Sequence, residues 1–85
     1  MPEYTITISK TARKQLDYLS DDVAAPLFDA ISGLAYNPRP NGCEKLHSGD
    51  GYRILQGGYK IIYNIYDKVL TVDVVTVGNR KDTYQ

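Results

Sequence analysis

The spacing of apolar residues changes along the chain, and each change marks an element. Tyr4-Thr5-Ile6-Thr7-Ile8 alternates with period two and is rich in β-branched side chains, which predicts a half-buried strand. From Lys10 to Leu19 the period lengthens. Ala12, Leu16 and Leu19 form one helical stripe, Lys10, Arg13, Lys14 and Asp17 face solvent, and Ser9 is placed to cap the start. Val23, Leu27, Ala30, Ile31 and Leu34 then repeat at three-and-four spacing, a second helix whose positive end takes Asp21 and Asp22. Pro26 predicts a kink or a later start for this helix, and Asn37-Pro38 is expected to end it.

A loop rich in glycine and proline follows from Arg39 to Gly51, with Glu44 to His47 as a short extended piece. Strand-like runs then return at Tyr52 to Leu55, from Tyr59 onward, and at Lys68 to Val77, separated by Gly57-Gly58 and an Asp-Lys break; they predict a three-stranded meander. In the middle run Tyr59, Ile61, Tyr63 and Ile65 share the core side, leaving Lys60, Ile62, Asn64 and Tyr66 on the open one. In the last run Leu70, Val72 and Val74 share one side, and Thr71, Asp73, Val75 and Val77 the other. The open face is therefore mixed, with Ile62 and Val75 beside Lys60, Asn64 and Asp73, a surface suited to a partner or ligand. With two closely connected helices confined to one face of a mainly antiparallel sheet, the order β, α, α, β, β, β predicts an α+β fold.

Eighty-five residues are expected to form one domain, 1–85, with a modest core. The single cysteine, Cys43, has no intramolecular disulfide partner, and Met1-Pro2-Glu3-Tyr4 does not resemble a signal peptide. No apolar run approaches the roughly 20 residues of a membrane span, so a cytoplasmic protein is expected. The formal charge is zero and the pI about 6.5, which disfavours general attraction to nucleic acid. From Arg39 onward, however, seven basic residues face five acidic ones, which places any anion site in the C-terminal half. Cys43 and His47 are too few for a metal centre, and Gly57-Gly58 enters a strand rather than a phosphate-binding helix, so neither metal nor cofactor is expected.

The candidate chemistry is cationic and phenolic: Arg53, Lys60, Arg80, Lys81 and Tyr84. Arg53 and Lys60 are opposite in phase to Ile54 and Ile61 and so share the open face, their adjacency depending on register. Gly78-Asn79-Arg80 can carry Arg80 and Tyr84 over the same surface. The plainer alternatives are solvated strand residues at Arg53 and Lys60, a hydrophobic anchor at Tyr84, and an Arg80-Lys81 tail for an acidic partner.

Gly58-Tyr59-Lys60-Ile61-Ile62-Tyr63, followed by Val75-Thr76-Val77-Gly78-Asn79-Arg80-Lys81-Asp82 and Tyr84, resembles the signature of RelE/ParE-type toxins of bacterial toxin-antitoxin pairs. The element order, the Asn37-Pro38 break and Lys45-Leu46 extend the resemblance over nearly the whole chain. The RelE branch implies metal-independent cleavage of mRNA in the ribosomal A site, by attack of the RNA 2′-hydroxyl on the adjacent phosphate. By resemblance Arg53, Lys60, Arg80 and Tyr84 are the catalytic set, Arg53 and Lys60 on phosphate and the transition state, Arg80 on developing charge in preference to protonating the leaving group, and Tyr84 in stacking or proton transfer. Lys45, Asn79 and Lys81 are the accompanying substrate contacts, and Ile62 and Val75 the surface for a cognate antitoxin. Leu55 stands where the best-equipped nucleases carry another lysine, Lys60 where arginine is usual, and Asn79 where histidine is common. The alternatives implied by the same resemblance are a ParE-like toxin acting on DNA gyrase without cleaving RNA, and an inactive family member.

Overall fold

The computed structural model describes residues 3–47, 49 and 51–82. Strand β1 (Thr5–Ile8) leads into helices α1 (Lys10–Asp17) and α2 (Asp21–Gly33), followed by β2 (Glu44–Lys45), β3 (Gly51–Gln56), β4 (Tyr59–Tyr66) and β5 (Thr71–Asn79). The strands form one sheet in the order β1-β5-β4-β3-β2, with β1 parallel to β5 and the other neighbours antiparallel. Ala12 and Leu16 of α1, Leu27 and Ile31 of α2 and the following Leu34 pack on one face of it, against Ile54, Ile61, Tyr63, Ile65, Val72, Val74 and Val77. This is the predicted α+β arrangement.

Helix α1 starts as expected, because the Ser9 hydroxyl oxygen accepts the Ala12 N–H at 2.9 Å. Helix α2 does not begin late. It runs from Asp21 through Pro26, which is exposed on the solvent side, where a missing backbone donor is least costly. It also stops before Asn37: Gly33 is its last residue, and the Gly33 carbonyl accepts the N–H groups of both Tyr36 and Asn37 at 3.1 Å in a closing turn. Glycine is a poor helix former, so the helix yields there before the proline is reached.

Strand β1 is shorter than its neighbour and pairs only with Thr71 to Val74 of β5. Beyond that point α1 serves the exposed edge of β5. The Ser9 hydroxyl donates to the Val75 carbonyl at 2.6 Å, and the Gln15 side-chain oxygen accepts the Val77 N–H at 2.6 Å. At this same place the β4–β5 ladder slips: Ile62 pairs with Thr76 but Tyr63 pairs with Val74, so Val75 is an extra, bulged residue. The bulge reverses the phase of the strand end. Val77, expected on the open side, is buried in the core instead. Leu70 is corrected in the other direction: it lies outside the core, 37% exposed, in a left-handed conformation (φ 46°) that joins a short 3-10 turn (Asp67–Val69) to β5.

A polar network closes the end of the sheet where β4 turns into β5. The Tyr63 hydroxyl, buried in the core, donates to the Pro38 carbonyl at 2.7 Å, and its ring stacks on Tyr52 with centroids 6.0 Å apart. Arg39, next along the loop, forks onto Asp67 at 2.9 and 3.3 Å and donates through Nε to the Tyr52 hydroxyl at 3.2 Å. Tyr4 donates to the same carboxylate at 2.6 Å. Hydrogen bonds from Arg39 and then Tyr4 hold the Asp67 carboxyl below its ordinary range. Four distant parts of the sequence are thereby tied to one point.

Candidate active site on the helix-free face

Register fixes what stands beside what on the face that the helices leave uncovered. In one row Arg53 of β3 pairs with Ile62 of β4, and Ile62 with Thr76 of β5. In the next row Leu55 pairs with Lys60, and Lys60 with Gly78. Arg53 and Lys60 are therefore diagonal neighbours, roughly 7–8 Å apart between backbones. Past the second row, β5 ends at Asn79 and the chain turns back: the Arg80 N–H donates to the Gly58 carbonyl at 2.9 Å and its guanidinium to the Gly57 carbonyl at 3.1 Å. The β3–β4 turn makes this docking possible, because Gly57 takes a positive φ of 59° at the first central position, as a type II′ hairpin requires.

Arg53, Lys60 and Arg80 thus follow one another down a single face, but in three different environments. Arg53 is half-buried and ion-paired with Glu44 of β2, directly across the strand pair. Lys60 is 4% exposed, the buried charged residue among the described residues, and its amine donates to the Asp82 carbonyl. Arg80 is exposed. Lys81 and Asn79 are exposed on the same returning turn, where the Asn79 side-chain oxygen accepts the Lys81 N–H at 2.9 Å. Ile62 is half-buried in the row with Arg53, and Val75 is the half-buried residue of the bulge. Tyr84 lies outside the described residues.

Lys45 is not brought to this group. It pairs with Tyr52, whose ring stacks on core residue Tyr63, so it belongs to the opposite face; its amine donates to the Gly49 carbonyl at 2.7 Å and sits 5.0 Å from the Tyr52 ring centroid. Two features were missed from sequence. Glu44 is the carboxylate partner of Arg53, and its only advance signal was the extended character of Glu44 to His47. The other is a groove of about 440 Å³ on the helix side, between α2 and the part of β3 that β2 leaves unpaired, bordered by Asp29, Gly33, Pro40, Ile54 and Leu55. Arg53, Lys60 and Arg80 do not line it.

The chemical content of the helix-free face is positive charge at graded depth around a stripe of apolar surface at Ile62 and Leu55. Guanidinium groups such as Arg53 and Arg80 can fork onto a phosphate. Among the described residues no His, Cys, Asp or Glu group of three is placed to hold a metal, and no helix is long and apolar enough to cross a membrane.

A family model, described as the ParE toxin of the type II toxin-antitoxin system parDE, matches residues 6–84. Comparison with curated protein sequences gave no match. Among solved structures, the RelBE2 toxin-antitoxin complex from Mycobacterium tuberculosis is similar at 27% identity and TM-score 0.83, covering 96% of this chain and 97% of that one. The archaeal RelE-RelB complex from Pyrococcus horikoshii OT3 is similar at 25% identity and TM-score 0.84, covering 95% and 99%. The isolated E. coli RelE toxin is similar at 25% identity and TM-score 0.79, covering 94% and 87%. The two helices on a mixed five-stranded sheet are thus a RelE-like fold, and the match from residue 6 to 84 shows that the chain belongs to the ParE toxin family of type II toxin-antitoxin systems.

Proposed function

We propose that this toxin is a ribosome-dependent mRNA endonuclease acting in the cytoplasm, with its active site on the helix-free face. The observation that carries the reading is the alignment of Arg53, Lys60 and Arg80 across β3, β4 and the turn after β5. Likeness to the RelE structures supports it. In the reaction the 2′-oxygen forms a bond to phosphorus as the bond to the 5′-oxygen breaks, leaving a 2′,3′-cyclic phosphate and a 5′-hydroxyl. One proton leaves the 2′-hydroxyl and one reaches the departing 5′-oxygen. Arg53 and Arg80 stabilise the extra negative charge on the phosphorane, and Tyr84 stacks on a base or moves a proton. Asn79 and Lys81, on the turn with Arg80, contact the RNA backbone. Lys45 is left to the ribosome rather than to the scissile phosphate, since it stands on the other face.

Its partner is a cognate antitoxin that covers apolar surface at Ile62 and Val75 and so blocks the cations near it. The RelBE2 structure is a toxin-antitoxin complex, and the archaeal structure a RelE-RelB complex. The test is cleavage of mRNA on programmed ribosomes with end mapping. A-site cuts ending in 2′,3′-cyclic or 3′-phosphate, reduced at least tenfold in Arg80→Ala and in Arg53→Ala, are the expected result. Absence of cleavage by the folded native protein would overturn the reading.

Two observations favour a second reading, a toxin that binds DNA gyrase. The matched family model is that of ParE, and the apolar Leu55 interrupts the row of cations directly opposite Lys60. Inhibition of gyrase supercoiling without RNA cleavage would select it.

A further inference from the structure

We infer that Lys60 is a positioning residue, whose amine holds the turn that carries Arg80 in place on the helix-free face instead of meeting a phosphate itself. The inference rests on the proposed role of Arg80 for its functional meaning, and on the geometry of Lys60 alone for its structural content.

Of the aligned cations Lys60 is the buried one, at 4% exposure, whereas Arg53 is half-buried and Arg80 exposed. The chain that follows β5 meets it at Asp82. Asn79 opens the returning turn, with its carbonyl accepting the Asp82 N–H at 3.0 Å and its side-chain oxygen the Lys81 N–H at 2.9 Å. Arg80 docks the near end of the turn onto the Gly57 and Gly58 carbonyls. Lys60 takes the far end, donating to the Asp82 carbonyl. A phosphate oxygen reaching the Lys60 amine would have to displace this turn, and the turn bears Arg80. Direct contact at Lys60 and correct placement of Arg80 therefore compete.

The neighbours of Lys60 fit the anchoring role. Across β5 it faces Gly78, which presents no side chain to compete with the Lys60 stem. Across β3 it faces Leu55, an apolar neighbour for that stem. A buried amine is tolerated when its donors are used, and a backbone carbonyl is an acceptor that no side-chain change in the turn removes.

The experiment compares the full-length native protein with Lys60→Met, which keeps the stem but removes the donor, and Lys60→Arg, which restores donors. Amide hydrogen exchange at Arg80 and Asp82 is measured by NMR, with Val72 as the reference for an intact core. Lys60→Met is expected to accelerate exchange at Arg80 and Asp82 at least tenfold with Val72 unchanged, and Lys60→Arg to recover most of the protection. In the ribosomal cleavage assay, Lys60→Met and Arg80→Ala are expected to lose similar activity, and the double variant no more than either alone, because both remove the same group from the site. Unchanged exchange at Arg80 and Asp82, or losses that multiply in the double variant, would overturn the inference. Native protein that cleaves nothing would sink the nuclease reading and leave the exchange result to decide this one. Should Lys60→Met not fold, amine acylation of the native protein decides: Lys60 is expected to react at least tenfold more slowly than Lys81, and equal rates would refute the anchoring.

Discussion

Replacing Tyr63 by Phe removes one oxygen from the centre of the molecule and tests how much the polar network adds to a small core. The ring stays where it is, fully buried and stacked on Tyr52, so the apolar contribution is nearly unchanged. What is lost is the 2.7 Å hydrogen bond to the Pro38 carbonyl, an acceptor on a buried residue. Leaving a buried acceptor without its donor costs about 1–3 kcal/mol, and about 2 is expected here because loop and sheet are both closely packed around it. With an unfolding entropy of about 2.1 cal/mol/K per residue, that destabilisation lowers Tm by about 11 °C for a chain of this length. A second signature separates this from a general loosening. Burial raises the Tyr63 phenol above its ordinary value of 10.0, so the neutral form is favoured in the folded state. Its contribution is fully present below that pH and is lost as pH rises above it, because the unfolded chain ionises first. Urea titrations at pH 7 and near pH 11 measure both. The variant should be less stable at pH 7, with an unchanged urea dependence, and should lose less stability than the native protein on going to high pH. A fall in Tm of less than about 3 °C, converted on the same entropy scale, would show that water replaces the hydroxyl at Pro38 and that the network adds little.

Two further tests address the ties around the sheet. Asp67→Asn removes a carboxylate that Arg39 and Tyr4 hold below its ordinary range; such a group adds stability above the ordinary carboxylate pKa that is lost as pH falls through its lowered value. The variant should therefore show a shallower loss of stability between neutral pH and pH 3 in chemical denaturation. Ser9→Ala removes both the cap of α1 and the hydroxyl that ties it to the Val75 carbonyl, and a loss of about 1–2 kcal/mol is expected by thermal denaturation.

Much of the fold was legible because local signals agreed with the final packing. The alternation at Thr5 to Ile8, the Ser9 cap, the helical stripes and the Gly57-Gly58 turn each act over a few residues, and each is found. What was not legible depends on partners far away in sequence. Arg39, Asp67, Tyr4 and Tyr52 are unremarkable surface residues until the sheet brings them together. The burial of Lys60 required knowing that the chain after Asn79 returns over it, and the pairing of Arg53 with Glu44 required the position of a strand only two residues long. Alternation placed Arg53 and Lys60 on one face correctly but was silent on their diagonal offset, which only register supplies.

The bulge at Val75 explains how a run of valines can end in a polar site. Under strict alternation from Val72 and Val74, the strand would place Val75 and Val77 on the open face and turn Thr76 and Gly78 toward the helices. That would expose apolar surface and bury a hydroxyl. One extra residue reverses this: Val77 enters the core, Thr76 takes its place beside Ile62, and Gly78 comes opposite Lys60. The cost of a bulge is the backbone it disturbs, and the nearby β5 edge is satisfied from α1 by Ser9 and Gln15. Helix α1 therefore does more than cover the core. Through Val75 and Val77 it ties down the part of β5 from which the chain runs on to Asn79 and the turn that carries Arg80.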